Sequence, residues 1–264
     1  MNKIYRKLHS SLLSTQKYNF FSNFAENTNY MSAKLYLLPT TLGESEINAV
    51  LPSTNNEICS QLKHYIVEDV RTARRFLKKV DKTIDIDSIQ FYVLNKHTTA
   101  EELSTFLKPL VAGFDMGVLS EAGCPAIADP GADVVRMAQE KNIQVVPLVG
   151  PSSIILSLMA SGFNGQNFAF NGYLPIQDDE RIAMLKKLEK KVYNEQQTQI
   201  FIETPYRNMK LVADIVQHCM PNTKLCIATD ITLESECIKT KTNAEWKKGI
   251  PDLHKRPCIF LLYK

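Results

Sequence analysis

Apolar residues in this chain gather into short runs separated by longer amphipathic stretches, and that rhythm lays out the elements. "KLYLLP" (34–39), "IQFYVLN" (89–95), "DMGVLSEAG" (115–123) and "IQVVPLVG" (143–150) read as strands, and "HYIVEDV" (64–70) as a short strand running into a helix. "TAEELSTFLKPLVAG" (99–113), ending at Gly113, and "GADVVRMAQEKN" (131–142) read as helices. A second series follows. It comprises a helix from Pro151 to Ser161, the segment "NFAFNGYLP", a charged helix over 178–193, the strand "TQIFIETP" (198–205), the helix "NMKLVADIVQHCM", and the strands "KLCIATDIT" and "RPCIFLLYK". This alternation predicts an α/β fold with open sheets. The "VGPSS" turn at 149–153 is the natural joint, giving an N-terminal α/β domain (31–148) and a C-terminal α/β domain (149–264). Ligands of such folds sit beyond the carboxyl ends of strands, often between domains.

Composition changes this picture little. The 264 residues are 44% hydrophobic and 22% charged, an ordinary globular balance with enough chain for a sizeable core. No apolar run approaches the ~20 residues that span a bilayer, so no membrane partner is expected. The formal net charge of +3 lies in residues 1–30, where Lys3, Arg6, Lys7 and Lys17 face Glu26 alone. The rest is balanced, so an anionic partner must be met by local patches. Residues 1–30 precede Met31, where sequence of folded character begins, and read as a disordered tail or an upstream start, with a basic composition also found in mitochondrial presequences. The six cysteines form no C-x-x-C pair and have no histidine at zinc spacing, which predicts reduced thiols in a cytoplasmic protein and no metal site. The five histidines are scattered, with only His97 at a strand end near the expected cleft, and the lone Trp246 reads as packing.

Candidate chemistry concentrates in "GVLSEAGCPAIADPG" (117–131), where an apolar strand gives way to small and turn-forming residues. Small residues at a strand's carboxyl end let backbone approach a ligand, and tight turns present successive N–H groups. The segment from Ser120 onward therefore reads as a wall against which a small molecule lies. Asp129 is placed to cap the helix that begins near Pro130. "LVGPSSIILSLMASGF" repeats the design, with Ser152 and Ser153 at a helix start, as caps or as ligand contacts. No P-loop and no complete G-x-G-x-x-G occurs, which weakens nucleoside triphosphate and dinucleotide readings. After "VED", Arg71, Arg74, Arg75, Lys78 and Lys79 fall on one helix face opposite Val70, Ala73, Leu77 and Val80. That face is either solvated or an RNA-contacting stripe, and a second basic helix with Arg181, Lys186, Lys187, Lys190 and Lys191 favours the stripe.

The blocks "VEDVR", "GVLSEAGCPAIADPGADVVR", "VVPLVGPSSIILSLMASGF", "FNGYLP" and "ETPYR", in this order and spacing, resemble the tetrapyrrole methylase family of S-adenosylmethionine-dependent methyltransferases. Within it, the similarity is greatest to the branch that 2′-O-methylates a cytidine ribose in small-subunit ribosomal RNA. The resemblance covers Leu35 to Tyr263. It implies two α/β domains, a homodimer, and the methyl donor S-adenosylmethionine in the cleft between the domains. By position it implies donor contacts at Pro39, at the turn from Ser120 and Glu121 through Gly123, Cys124, Ala126, Ile127 and Ala128, at Ser152 and Ser153, and at Glu203, Ala228 and Pro257. Ribosomal members usually show Asp and Thr where Glu121 and Cys124 stand. They also carry basic residues after the strand matching "LCIA", where this chain has Thr229, Asp230, Thr232 and Leu233.

A ribose hydroxyl is a weak nucleophile, so a base is expected to assist. Glu121, Glu203 and Asp69 are the candidates, with ion pairs of Asp69 or Glu203 to Arg71 or Arg207 as the structural alternative. Three activities remain open on the residues: RNA ribose methylation with Arg71, Arg74, Arg75 and Lys78 contacting RNA, methylation of a small tetrapyrrole-type molecule, and donor binding in a regulatory protein without catalysis.

Overall fold

The strands collect into two five-stranded sheets, one from each half of the chain, in a computed structural model that describes residues 33–95 and 97–264. The tail expected at 1–30, Met31 and Lys96 lie outside the described residues. In the first half the order along the chain is β1 (Lys34–Leu38), α1 (Ile47–Val50), α2 (Ser53–Gln61), β2 (His64–Val67), α3 (Val70–Val80), β3 (Gln90–Val93), α4 (Ala100–Phe106), α5 (Lys108–Val111), β4 (Met116–Leu119), α6 (Ala132–Glu140) and β5 (Gln144–Pro147). The second half continues with α7 (Ser153–Ser161), β6 (Phe168–Tyr173), α8 (Asp178–Glu195), β7 (Thr198–Ile202), α9 (Asn208–His218), β8 (Lys224–Thr229), β9 (Cys237–Thr242), α10 (Asn243–Trp246) and β10 (Cys258–Tyr263).

The first sheet is wholly parallel, in the order β3-β2-β4-β1-β5. Parallel strands need both faces covered, and the period-2 alternation of the strands supplies two apolar faces. Leu35, Ile66, Met116 and Val118 point to one core with Leu103, Leu110 and Val134 of the α4–α6 side. Leu38, Tyr65, Val67 and Leu119 point to the other, against Cys59, Ala73 and Leu77 of α2 and α3. Each fully buried side chain of this size contributes about 1.5–3 kcal/mol. α3 starts where Asp69 accepts the Thr72 amide at 2.7 Å, and α4 starts with a reciprocal Thr99 and Glu102 capping box. The helix expected over 99–113 is interrupted at Leu107, because Pro109 lacks the N–H that a continuous helix needs.

The second sheet is mixed, in the order β6-β7-β10-β8-β9, with only β6 and β7 parallel. One face packs α8, α9 and α10 through Leu185, Leu188, Leu211, Val212 and Phe260. The indole of Trp246 sits in this core and donates to the Leu225 carbonyl at 2.9 Å, as its packing assignment requires. The other face packs α7 through Ile154 and Leu158 against Ile200, Ala228, Ile259 and Leu261. Leu42, from the loop after β1, joins this second core and ties the first sheet's strand-end loops to the second sheet.

Candidate active site

β1 and β4 run side by side in register and end together, so the loops that follow them meet. The Thr40 amide donates to the Gly123 carbonyl at 2.9 Å and the Ser120 hydroxyl donates to the same oxygen at 2.5 Å, folding the 120–123 turn onto the end of β1. Small residues are mandatory here. A Cβ on Gly150 would lie 2.3 Å from the Pro39 Cβ, and one on Gly123, itself at φ +76°, would crowd Leu42 and the Pro151 carbonyl. Cys124 Sγ donates to the Pro151 carbonyl at 3.4 Å, which joins this turn to the approach to α7. Ala126 and Ala128 both hold left-handed backbone, at φ +63° and +61°, and carry the exposed Ile127 between them.

Two neighbouring cavities open at this edge. The first, about 340 Å³, lies at the ends of β1 and β4 and is bounded by Thr40, Ser120 and Glu121 on one side and by Thr72, Arg75 and Lys79 of α3 on the other. The second, about 150 Å³, lies between the two halves and is bounded by Ser153, Ala228, Asp230, Leu233 and Pro257. Leu42 and Ala122 line both. Of the donor contacts expected from sequence, Ser153, Ala228 and Pro257 thus meet at the second cavity, and Ser120 and Glu121 stand at the first. Pro39, Gly123 and Cys124 form the packed framework between them. Ser152 accepts the Ile155 amide at 3.5 Å as the cap of α7.

The carboxylates divide by environment. Glu203 is buried and committed: its Oε1 accepts from the Arg207 side chain at 2.9 and 2.5 Å and from the Thr204 amide at 2.6 Å. Asp69 caps α3, and the Thr72 amide and hydroxyl on its carboxylate hold it below the usual range. The expected alternative pairing of Asp69 with Arg71 gives way to this cap. Glu121 is raised above the ordinary carboxylate value, first by desolvation and then by the charges of Asp69 and Glu68. Asp129 is raised to about 6 by burial and by Glu68 and Glu121, and its Oδ2 is enclosed without a hydrogen-bond partner among the described residues. The cap expected of Asp129 is not made, since Gly131 occupies the N-cap position of α6 and no side chain caps it.

Arg71, Arg74, Arg75, Lys78 and Lys79 are all exposed along α3. The second basic helix loses its first member: Arg181 is buried and held by Asp178 and Asp214 at 2.9 and 2.6 Å, serving the core of α8 rather than its surface. His97 is exposed in a turn beside Asn95 and lines neither cavity. A cluster missed in the sequence closes the second cavity. Arg256 donates twice to Asp230 Oδ2, at 2.9 and 2.7 Å, Ser235 donates to the same oxygen at 2.8 Å, and Leu233 reaches across to pack on Gly43.

No family model matches the chain. It is 31% identical over 202 residues to ribosomal RNA small subunit methyltransferase I of Streptococcus pyogenes serotype M6, covering 76% of this chain and 66% of that one. Against the proteins of the same name from Vibrio cholerae and Escherichia coli O157:H7 it is 26% and 29% identical, covering 80% and 78% of this chain and 69% and 68% of theirs. The fold matches the solved methyltransferase CobJ with a TM-score of 0.58 at 11% identity over 88% of this chain and 93% of that one. It matches the cobalt precorrin-4 methyltransferase CbiF with a TM-score of 0.56 at 12% identity, over 88% and 95%. With the two-sheet architecture and the motif blocks in place, the chain belongs to the tetrapyrrole methylase family and is a methyltransferase dependent on S-adenosylmethionine.

Proposed function

We propose that this protein methylates a ribose 2′-hydroxyl in RNA, with small-subunit ribosomal RNA as the substrate. It does so as a cytoplasmic homodimer whose two domains meet at residues 148–149. The observation that carries the reading is the adjacency of the cavity at the ends of β1 and β4 to a basic helix face, with the cavity between the halves next to it. Asp69 and Thr72, at the start of α3, lie against Glu121 at the cavity edge. The stripe of Arg71, Arg74, Arg75 and Lys78 therefore begins at the mouth of the site and supplies the local phosphate contacts that a neutral body needs.

The residues present fit the methyl donor. The second cavity offers apolar walls at Leu42, Ala122, Ala228 and Pro257 with a hydroxyl at Ser153, suited to the adenosine end. The 120–128 turn, with its left-handed alanines, offers backbone to the amino-acid end. When bound, the donor supplies an electrophilic methyl carbon on a sulfonium. This chain's part is to align the acceptor oxygen with that carbon, exclude water and receive a proton. Of the three candidate bases, Glu203 is neutralised by Arg207 and Asp69 is spent on a helix cap, which leaves Glu121. Its raised pKa strengthens it as a base toward the hydroxyl. With the donor bound, the Glu121 carboxylate would take the proton of the acceptor hydroxyl as that oxygen is methylated.

The test is transfer of labelled methyl groups to small-subunit RNA from a strain lacking the gene. Recovery of a 2′-O-methylated nucleoside is expected. Donor binding by calorimetry without turnover on any RNA pool overturns the reading. Glu121→Gln is expected to lower kcat by about 10²–10⁴ with donor affinity unchanged.

A further inference from the structure

The larger cavity is polar in two senses, cationic on one side and lined by hydroxyls and a carboxylate on the other. Two cations, Arg75 and Lys79, stand one helical turn apart on the α3 side, while hydroxyls of Thr40 and Ser120 and the carboxylate of Glu121 stand on the side of β1 and β4. Among the described residues Arg75 makes no ion pair. Lys79 holds only the Ser45 carbonyl at 2.9 Å and the fully exposed Glu44 at 3.5 Å, a weak pair that a phosphate displaces. Other members of the stripe are engaged elsewhere. Arg74 lies over the Phe91 ring at 5.7 Å, and Lys78 donates to the Lys82 carbonyl at 2.9 Å.

We propose, building on the RNA-methylation reading, that this cavity is the acceptor subsite and takes one unstacked ribonucleotide, its phosphate on Arg75 and Lys79 and its sugar hydroxyl toward Ser120 and Glu121. Its volume of about 340 Å³ suits a single nucleotide and has no room for a duplex, so the substrate nucleotide comes from a single-stranded or looped segment. The two-sided lining also selects among anions. A phosphate meets the cations while the hydroxyl meets the carboxylate, whereas an acceptor carrying carboxylates around its whole rim would press some of them against Glu121, whose negative field Asp69 and Glu68 reinforce. The shared walls Leu42 and Ala122 put a hydroxyl at the Ser120 end beside the second cavity, where the donor belongs.

The probe is a short single-stranded oligoribonucleotide of small-subunit sequence, titrated calorimetrically onto the full chain, with the same sequence closed into a duplex for comparison. Arg75→Ala/Lys79→Ala is expected to weaken single-strand binding by about tenfold or more and to flatten its salt dependence, with the donor Kd unchanged within about twofold. Lys247→Ala/Lys248→Ala, which removes two exposed cations outside both cavities, is expected to change binding by less than about twofold. Thermal melting verifies that each variant folds, and Arg75→Lys restores part of the affinity. The proposal falls if wild type binds no single strand, if it binds the duplex as well, or if Arg75→Ala/Lys79→Ala loses no more than the control pair. Specific binding by this rule without any methyl transfer overturns the RNA-methyltransferase reading and leaves the subsite standing.

Discussion

Asp129 sits in an acidic arc with Glu68 and Glu121, and one of its oxygens is enclosed with no donor among the described residues. Its carboxyl is raised from 3.8 to about 6, so the folded state holds a proton that the unfolded chain releases. The stability associated with the protonated form is fully present below about pH 4 and is lost as pH rises through about 6. Two units on a sealed group would be nearly 3 kcal/mol; partial exposure and solvent screening bring this to about 1 kcal/mol. Asp129→Asn keeps the shape without the charge. It is expected to melt at the wild-type temperature at pH 4 and a few degrees higher at pH 7.5, and an equal shift at both pH values refutes the assignment. Sequence located this residue but misjudged its task, because spacing to the next helix suggests a cap while only the folded turn reveals three carboxylates converging. The small residues at Gly123 and Gly150 were legible as close-approach positions. The partners they approach, Leu42 and Pro39, lie far away in the sequence and were not.

At the scale of elements, the loop 230–236 between β8 and β9 is the least regular part of the site. Asp230 and the β-branched Thr232 both hold left-handed backbone, at φ +50° and +71°, a costly conformation maintained by surrounding contacts. Arg256 and Ser235 clamp the Asp230 carboxylate, and Leu233 then spans to Gly43, closing the second cavity from above. Arg256→Met leaves a nearly buried carboxylate unpaired. We expect a loss of about 2 kcal/mol in denaturant unfolding, below the value for a fully buried pair because Arg256 is one-third exposed, together with weaker donor binding. Adding Asp230→Asn is expected to recover part of the stability, and simple additivity would show that the two side chains do not act as a pair. Here this chain departs from the usual family pattern, and the charge pair explains what the acidic residue does. Helices with a clear apolar stripe and strands with buried alternation were readable from sequence. β9, "CIKTKT", and α2, "STNNEICSQ", were not, because an edge strand buries half its side chains at most and α2 buries only Asn55 and Cys59.

For the molecule as a whole, α7 is the element on which the proposed homodimer can be tested. Its inner face, Ile154 and Leu158, packs on the second sheet, while Ile155 and Met159, one turn apart, remain 44% and 72% exposed, and Val149 ahead of the helix is 74% exposed. "SIILSLMAS" is apolar nearly all round, the pattern of a helix covered on both sides. The uncovered side adjoins Ser152 and Ser153, so in the proposed dimer a partner seated there braces the same element that lines the second cavity. Sedimentation at micromolar concentration is expected to give a dimer for wild type and a monomer for Ile155→Asp/Met159→Asp. These charges point away from the inner core, so the variant should retain its fold by circular dichroism, and loss of the brace should weaken donor binding. A wild-type monomer that binds donor at full affinity removes the need for a partner on α7, and the exposed methionine then serves no assembly.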